Sequence, residues 1–122
     1  MKKNDNRNEW VTAPINGKDI VWDFIMEGLN NSTPVIENPI NDECAAYASN
    51  GSVVFVKYFC GSLYVGGKDE VSVKEITSYI LDIVNLDEGT DIFAEATVNH
   101  IPNNPGEYQK YIAPFRFWHT NP

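Results

Sequence analysis

The sequence has few residues of the types that carry out covalent and metal chemistry. It holds only two cysteines and two histidines in 122 residues. If the C-terminal residues form a hairpin, His100 and His119 lie at opposite ends of it, roughly 30 Å apart, and cannot act as a pair. Neither Cys44 nor Cys60 has a histidine placed to activate it as a nucleophile. No zinc or calcium spacing is present, so we expect no catalytic residues, no metal and no other cofactor.

Long hydrophobic runs are also absent. No stretch approaches the 18 or more apolar residues that a membrane-spanning helix needs. Residues 1–8 are polar and lack the apolar core of a secretion signal, which predicts a flexible tail followed by one domain over residues 9–122. We therefore expect a cytoplasmic protein with no membrane partner and with reduced thiols at both cysteines.

Cations are scarce, with nine Lys and Arg against 17 Asp and Glu and a formal net charge of −8. Three of the nine cations lie within residues 1–7, so the rest of the chain carries six cations against 16 acids. Such a body repels phosphate backbones, which argues against direct binding of nucleic acid. A protein with a basic surface is the partner that this charge favours, because opposite fields speed association.

Apolar and aromatic residues are plentiful, and their pattern predicts an α+β fold. Ser52–Phe59 is a nearly continuous run of β-formers, typical of a strand that is buried on both faces. Ser72 and Glu75 have the spacing of a capping box at the start of a helix over residues 72–85. We predict an antiparallel sheet of four to five strands packed on this one main helix, with a C-terminal β-hairpin formed by residues 91–101 and 108–118.

Two segments fit either a helix or a strand. Residues 20–29 follow Asp19, a good N-cap, but contain β-branched residues. Residues 42–50 are rich in alanine, which favours a helix. Alternatively, Asn50-Gly51 is a type I′ turn that joins a strand over Ala45–Ser49 to the next strand. The helix is slightly favoured in both cases.

The C-terminal hairpin can be placed in register. With residues 102–107 as its loop, Ala94 lies opposite Phe115 and Ala96 opposite Ala113 on one face, which pairs small residues with large ones as a core layer does. Pro114 has no N–H to donate, so it belongs on an edge strand or at a bulge. This predicts that residues 108–118 form an edge strand, and a homodimer could form through it.

The other face of the hairpin is the predicted partner-binding surface. Tyr, Trp and Arg are the residue types that dominate binding hot spots. Acidic residues near the end of the predicted helix oppose its dipole, and a basic partner would explain them. The predicted partner-binding residues are Asp82, Asp87, Glu88, Asp91, Phe93, Glu95, Tyr108, Lys110, Arg116 and Trp118.

Three functional hypotheses follow. The first is a small acidic non-enzymatic binding protein that neutralises or inhibits a basic protein, a general character shared with toxin-immunity proteins and phage inhibitors of bacterial defence. The second is a protein that binds or sequesters a small molecule or nucleotide metabolite in a pocket lined by tyrosines. The residues of that alternative pocket are Tyr47, Tyr58, Tyr64 and Tyr79. An enzyme of unknown class comes third, because acid, base and nucleophile types are sparse and far apart.

Overall fold

A computed structural model describes residues 18–38, 43–59, 62–89, 92–102 and 110–119, and these form an antiparallel sheet of seven strands with two helices. The strands follow the order β1-β2-β3-β4-β7-β5, and β6 also pairs with β7. The predicted α+β class, with one main helix packed on the sheet and a C-terminal hairpin, is confirmed. The elements are α1 (Lys18–Asn30), β1 (Val35–Asn38), β2 (Glu43–Tyr47), β3 (Val53–Phe59), β4 (Ser62–Gly67), α2 (Glu70–Asn85), β5 (Ile92–Ala96), β6 (Asn99–His100) and β7 (Tyr111–His119).

The core lies between one face of the sheet and the two helices. Alternate residues of the central strands, such as Val54, Val56 and Val65, are fully buried against α2. Phe55 points to the opposite face and is 37% exposed. The prediction that residues 52–59 are buried on both faces is therefore wrong, because no described helix covers the second face. None of the described helices is long and apolar enough to cross a membrane.

Helix α2 begins two residues earlier than predicted. Its N-cap is Asp69, whose carboxylate accepts a hydrogen bond from the Ser72 N–H at 2.8 Å. Ser72 is a buried residue of the first turn, and Glu75 bonds to the loop between β2 and β3 instead of closing a capping box. Aspartate is as good an N-cap as serine, and here it also lets Ser72 pack inward.

Residues 20–29 lie in helix α1, which packs against α2. Its buried residues Trp22, Ile25, Met26 and Leu29 recur at the spacing of one helical face. The two helices approach closely at Gly28, where a Cβ atom would lie 2.7 Å from Cγ2 of Ile83. Glycine permits this contact because it has no side chain.

Residues 43–47 form strand β2, so the favoured helix for residues 42–50 is wrong and the hairpin alternative is right. Cys44, Ala46 and Ala48 are buried in alternation, and that period of two matches a strand. The turn differs from the expected type I′. Ala48 and Ser52 bracket a three-residue loop, and Gly51 closes it with a φ of 85°. This is the common three-residue hairpin loop with glycine in the left-handed position.

Strand β7 lies inside the sheet and is not the edge strand that Pro114 suggested. It pairs with β4 through Tyr111–Pro114 on one side and with β5 and β6 on the other. Thr97 and Val98, between β5 and β6, lie opposite Pro114 and Ala113 and belong to neither strand. The ladder is interrupted where proline has no N–H to donate, which explains how an interior strand tolerates it.

The register of the hairpin differs from the predicted one by two residues. Ala94 pairs with Phe117 and Ala96 with Phe115, whereas the prediction placed Ala94 opposite Phe115. A shift of two leaves every side chain on its predicted face, because side chains alternate with a period of two. The sheet has more strands than predicted because residues 35–38, expected to be a loop, form β1 and residues 99–100 form the separate β6.

Candidate functional site

The predicted partner-binding residues of the hairpin lie on the face of the sheet opposite the helices, which we call the open face. Phe93 pairs with Trp118, and Glu95 pairs with Arg116. The guanidinium of Arg116 lies 4.7 Å from the centre of the Trp118 ring. Lys110 directly precedes β7 and is exposed. Asp91 and Tyr108 lie outside the described residues.

Burial divides this set into two kinds of residue. Phe93 is 3% exposed and Trp118 is 6% exposed, so both rings are packed within the chain itself. Glu95 and Arg116 are exposed. A partner on this side of the sheet would therefore meet the carboxylate of Glu95 and the guanidinium of Arg116. The buried rings of Phe93 and Trp118 would not act as its anchors.

The acidic residues Asp82, Asp87 and Glu88, here named the acidic rim, gather where α2 ends. The carboxylates of Asp82 and Glu88 are exposed, and neither has a hydrogen bond or ion pair with another described residue. Asp87 is half-buried and accepts a hydrogen bond from the Gly89 N–H at 2.8 Å. The last turn of α2 contains no basic residue, so the rim opposes the negative end of the helix dipole at a cost of about 0.3–1 kcal/mol per charge.

Asn85 fixes the rim against the sheet. Its side-chain amide accepts a hydrogen bond from the Ala94 N–H at 2.7 Å and donates one to the Ala94 carbonyl at 3.0 Å. The side chain of Asn85 thus occupies both backbone hydrogen-bonding groups of Ala94, which an additional strand at this edge could otherwise pair with. A partner at this edge would bind through side chains rather than by adding a strand.

Helix α1 adds acidic residues that sequence reasoning missed. Asp23 and Glu27 are both exposed on α1, and Glu27 is adjacent to Gly28, the point of contact with Ile83 of α2. Asp82 is adjacent to Ile83. Asp23 and Glu27 are one helical turn apart and alternate with the buried positions, and this spacing indicates that both lie on one exposed face of a helix. This spacing predicts an exposed acidic face only if the segment is a helix, and residues 20–29 also fitted a strand.

The four tyrosines of the alternative pocket do not lie on one surface. Tyr47 and Tyr64 belong to the open face, since they pair with Val53 and Lys57. Tyr58 lies on the core side, where its ring meets that of Trp22 at 5.9 Å between centroids, and burial raises the pKa of Tyr58 to about 12. Tyr79 is on α2 and donates a hydrogen bond to Glu75.

The loop between β2 and β3 is held on α2 by the carboxylate of Glu75, a contact that we call the loop clamp. Glu75 accepts hydrogen bonds from the N–H and the hydroxyl of Ser49, at 2.9 and 2.8 Å. Hydrogen bonds from Ser49 lower the pKa of Glu75. The pKa of Asp69 is lowered by the backbone hydrogen bond from Ser72 and, to a smaller extent, by hydrogen bonds from Ser52 and Asn50.

We expect the loop clamp and Asp69 to make stability fall in acid. Because the folded-state pKa values of Asp69 and Glu75 lie below the ordinary values of 3.8 and 4.5, the stabilisation is complete above those values and is lost as pH falls through the folded-state values. The melting temperature should stay level at higher pH and decline below about pH 4.5. Glu75→Gln should weaken that decline, whereas Glu70→Gln, which removes a carboxylate bonded to Lys74, should affect it less. Identical acid profiles for wild type and Glu75→Gln would contradict the assignment.

The cysteine and histidine positions are described in part. Cys44 is buried on the core side of β2, and Cys60 lies outside the described residues. His100 is exposed and its ring lies 4.9 Å from that of Tyr111. His100 pairs with Tyr111 and His119 with Ile92, so the two histidines lie at opposite ends of β7, as the sequence predicted.

Comparison with known protein families, with curated proteins and with solved structures finds no match to this chain. Its function is therefore inferred from its side chains and their geometry.

Proposed function

We propose that this protein is a small, non-enzymatic binding protein that covers a basic surface of another protein and thereby inhibits it. The observation that carries the proposal is the acidic rim at the C-terminal end of α2. Stability would favour Lys or Arg at these positions, yet Asp82, Asp87 and Glu88 occupy them. These carboxylates slightly destabilise the free protein, but they would interact favourably with the positive charges of a basic partner.

The distribution of charge supports the same partner. Asp23 and Glu27 extend the negative surface onto α1. Two of the described cations, Lys57 and Arg116, lie on strands that display them on the open face. Lys74 on α2 is paired with Glu70 at 2.6 Å. The exposed acids at the end of α2 and on α1 would then steer a basic surface toward the rim.

A protein with such a surface would act in the cytoplasm, as a toxin-immunity protein or a phage inhibitor does. The rim borders an edge strand that Asn85 already bonds, so recognition would depend on charged side chains. The association rate should then fall steeply as salt increases, since charges separated by more than about 10 Å are screened at 0.1 M salt.

The test compares two variants that each lose three negative charges. In the rim variant, Asp82→Asn, Asp87→Asn and Glu88→Gln remove the acidic rim while keeping side-chain size and the acceptor for Gly89. In the matched control, Glu37→Gln, Glu43→Gln and Glu70→Gln remove three carboxylates on β1, on β2 and at the start of α2, away from the rim. Both proteins and wild type are immobilised, and native-host lysate is passed over them at low and high salt.

The expected result is a basic protein that wild type and control retain at low salt and that the rim variant releases. Purified partner should then bind the rim variant at least about tenfold more weakly, as the loss of charge pairs worth about 1.4 kcal/mol would produce. Equal loss of binding in both variants would indicate a general effect of net charge and would contradict the proposal that the acidic rim is the binding site. Binding that is unchanged between low and high salt would contradict the proposal as a whole.

A further inference from the structure

The loop between β2 and β3 places an asparagine directly before a glycine, and both residues are exposed. Gly51 has a φ of 85°, and a Cβ atom built there would meet nothing within 4 Å. Gly51 therefore carries no side chain, and no other part of the described chain packs where one would stand. This is the arrangement in which a backbone nitrogen can attack the side-chain amide of the preceding asparagine.

The reaction needs only water. The nitrogen of Gly51 bonds to Cγ of Asn50, the bond from Cγ to Nδ2 breaks, and ammonia leaves with the proton from the Gly51 N–H. The product is a five-membered cyclic imide. Water then opens the imide at one of its two carbonyls, which leaves an aspartate or an isoaspartate at position 50.

Two hydrogen bonds oppose ring closure in the folded protein. Oδ1 of Asn50 accepts from the Ser52 N–H at 2.9 Å. The N–H of Gly51 donates to the Ala48 carbonyl at 3.0 Å. Asn50 can rotate toward Gly51 only when these bonds open. The loop clamp, through Glu75 on Ser49, holds the same loop in place.

We propose that Asn50 is a site of spontaneous deamidation, that opening of the loop clamp sets its rate, and that the product keeps the clamp open. Asn50 contributes to the lowered pKa of Asp69, so an aspartate at position 50 adds a second negative charge near that carboxylate, and like charges repel. An isoaspartate adds a backbone atom to a three-residue loop, which disrupts the pairing of Ala48 with Ser52. Local opening of such a loop is an equilibrium that its hydrogen bonds control.

The test follows oxygen incorporation at Asn50 in folded protein kept in heavy-oxygen water at mildly alkaline pH, with peptide mapping by mass spectrometry. Asn16, which also precedes a glycine, is the chemical reference in the same sample. Glu75→Ala should raise the rate at Asn50 by about 2- to 10-fold, as loss of a hydrogen bond of ordinary strength predicts. Glu70→Ala, on the same helix, should leave the rate at Asn50 unchanged, and neither variant should alter Asn16.

Two results would overturn the proposal. An Asn50 that stays an amide in Glu75→Ala protein, while Asn16 converts, would show that the site does not react. Equal rates at Asn50 in wild type and Glu75→Ala would show that the clamp does not control it. If Glu75→Ala fails to fold, Ser49→Ala provides the same comparison, because it removes the hydroxyl that donates to Glu75. Asn50→Asp should melt below wild type, and an unchanged melting temperature would contradict the proposed effect on the clamp.

Discussion

Replacing Asn85 with alanine should lower the free energy of unfolding by about 2–4 kcal/mol, which corresponds to a fall in melting temperature of about 8–16 °C. The Asn85 side chain supplies both hydrogen bonds that the structure shows between α2 and the backbone of Ala94. Without this side chain, the part-buried backbone N–H and carbonyl of Ala94 both lose their hydrogen-bond partner. An unsatisfied group of this kind costs about 1–3 kcal/mol. Thermal unfolding followed by circular dichroism measures the effect.

Asn30→Ala is the matched control for this prediction. Asn30 also lies at the end of a helix, but its amide makes one bond within that helix, to the Met26 carbonyl at 3.1 Å. Its loss should cost about 0.5–1.5 kcal/mol. Asn85→Asp should fall between the two, because a carboxylate keeps the acceptor for the Ala94 N–H but faces the Ala94 carbonyl without a proton to donate. Equal effects of Asn85→Ala and Asn30→Ala would show that the contact with β5 carries little energy.

The same change should expose the edge of β5. An edge strand with unpaired backbone groups is a template for another strand. Asn85→Ala protein should therefore associate as its concentration rises, in a way that Asn30→Ala protein does not. Light scattering after size-exclusion chromatography would show this, and a monodisperse Asn85→Ala monomer at high concentration would contradict it.

The parts of the fold that the sequence predicted are those with a strong local pattern. Helix α2 buries Val73, Ile76, Ile80 and Val84, and that spacing is visible without coordinates. The faces of the terminal hairpin were also predictable, because alternation assigns faces even when the register is off by two residues. Both predictions depend only on neighbours in the sequence.

The errors arose where long-range contacts decide the structure. Alanine favours a helix over residues 42–50, but burial of Cys44 and Ala46 in the core between the sheet and the helices outweighs that preference. No local pattern shows that β4 pairs with the free side of β7 at Tyr111–Pro114. Proline correctly signalled an interruption, but the interruption lies in the neighbouring strand.

The candidate site was predictable in composition but not in layout. The acidic residues at the end of α2 and the charged residues of the hairpin were evident as two groups. Their relation depends on Asn85, which joins the end of α2 to β5. The loop clamp was missed because Ser49 and Glu75 are 26 residues apart.

Gly28→Val tests the contact between the two helices and should destabilise the protein by about 1–3 kcal/mol, as overpacking does. Even the first atom of a side chain at this position would lie between 2.7 and 2.9 Å from three atoms of Ile83. Ile83 is β-branched, so in a helix it is confined mainly to one rotamer and cannot turn aside cheaply. The helices must separate, although valine suits a helix slightly better than glycine does.

Ile83→Ala should rescue Gly28→Val, because it removes the three atoms that the new side chain meets. On its own, Ile83→Ala loses apolar contact and should also destabilise, so the double variant should be more stable than the sum of the two effects by about 0.5–3 kcal/mol. Additive effects would show that the helices do not touch at this point. If the contact holds α1 beside the acidic rim, Gly28→Val should also weaken binding of a basic partner, and the double variant should recover it.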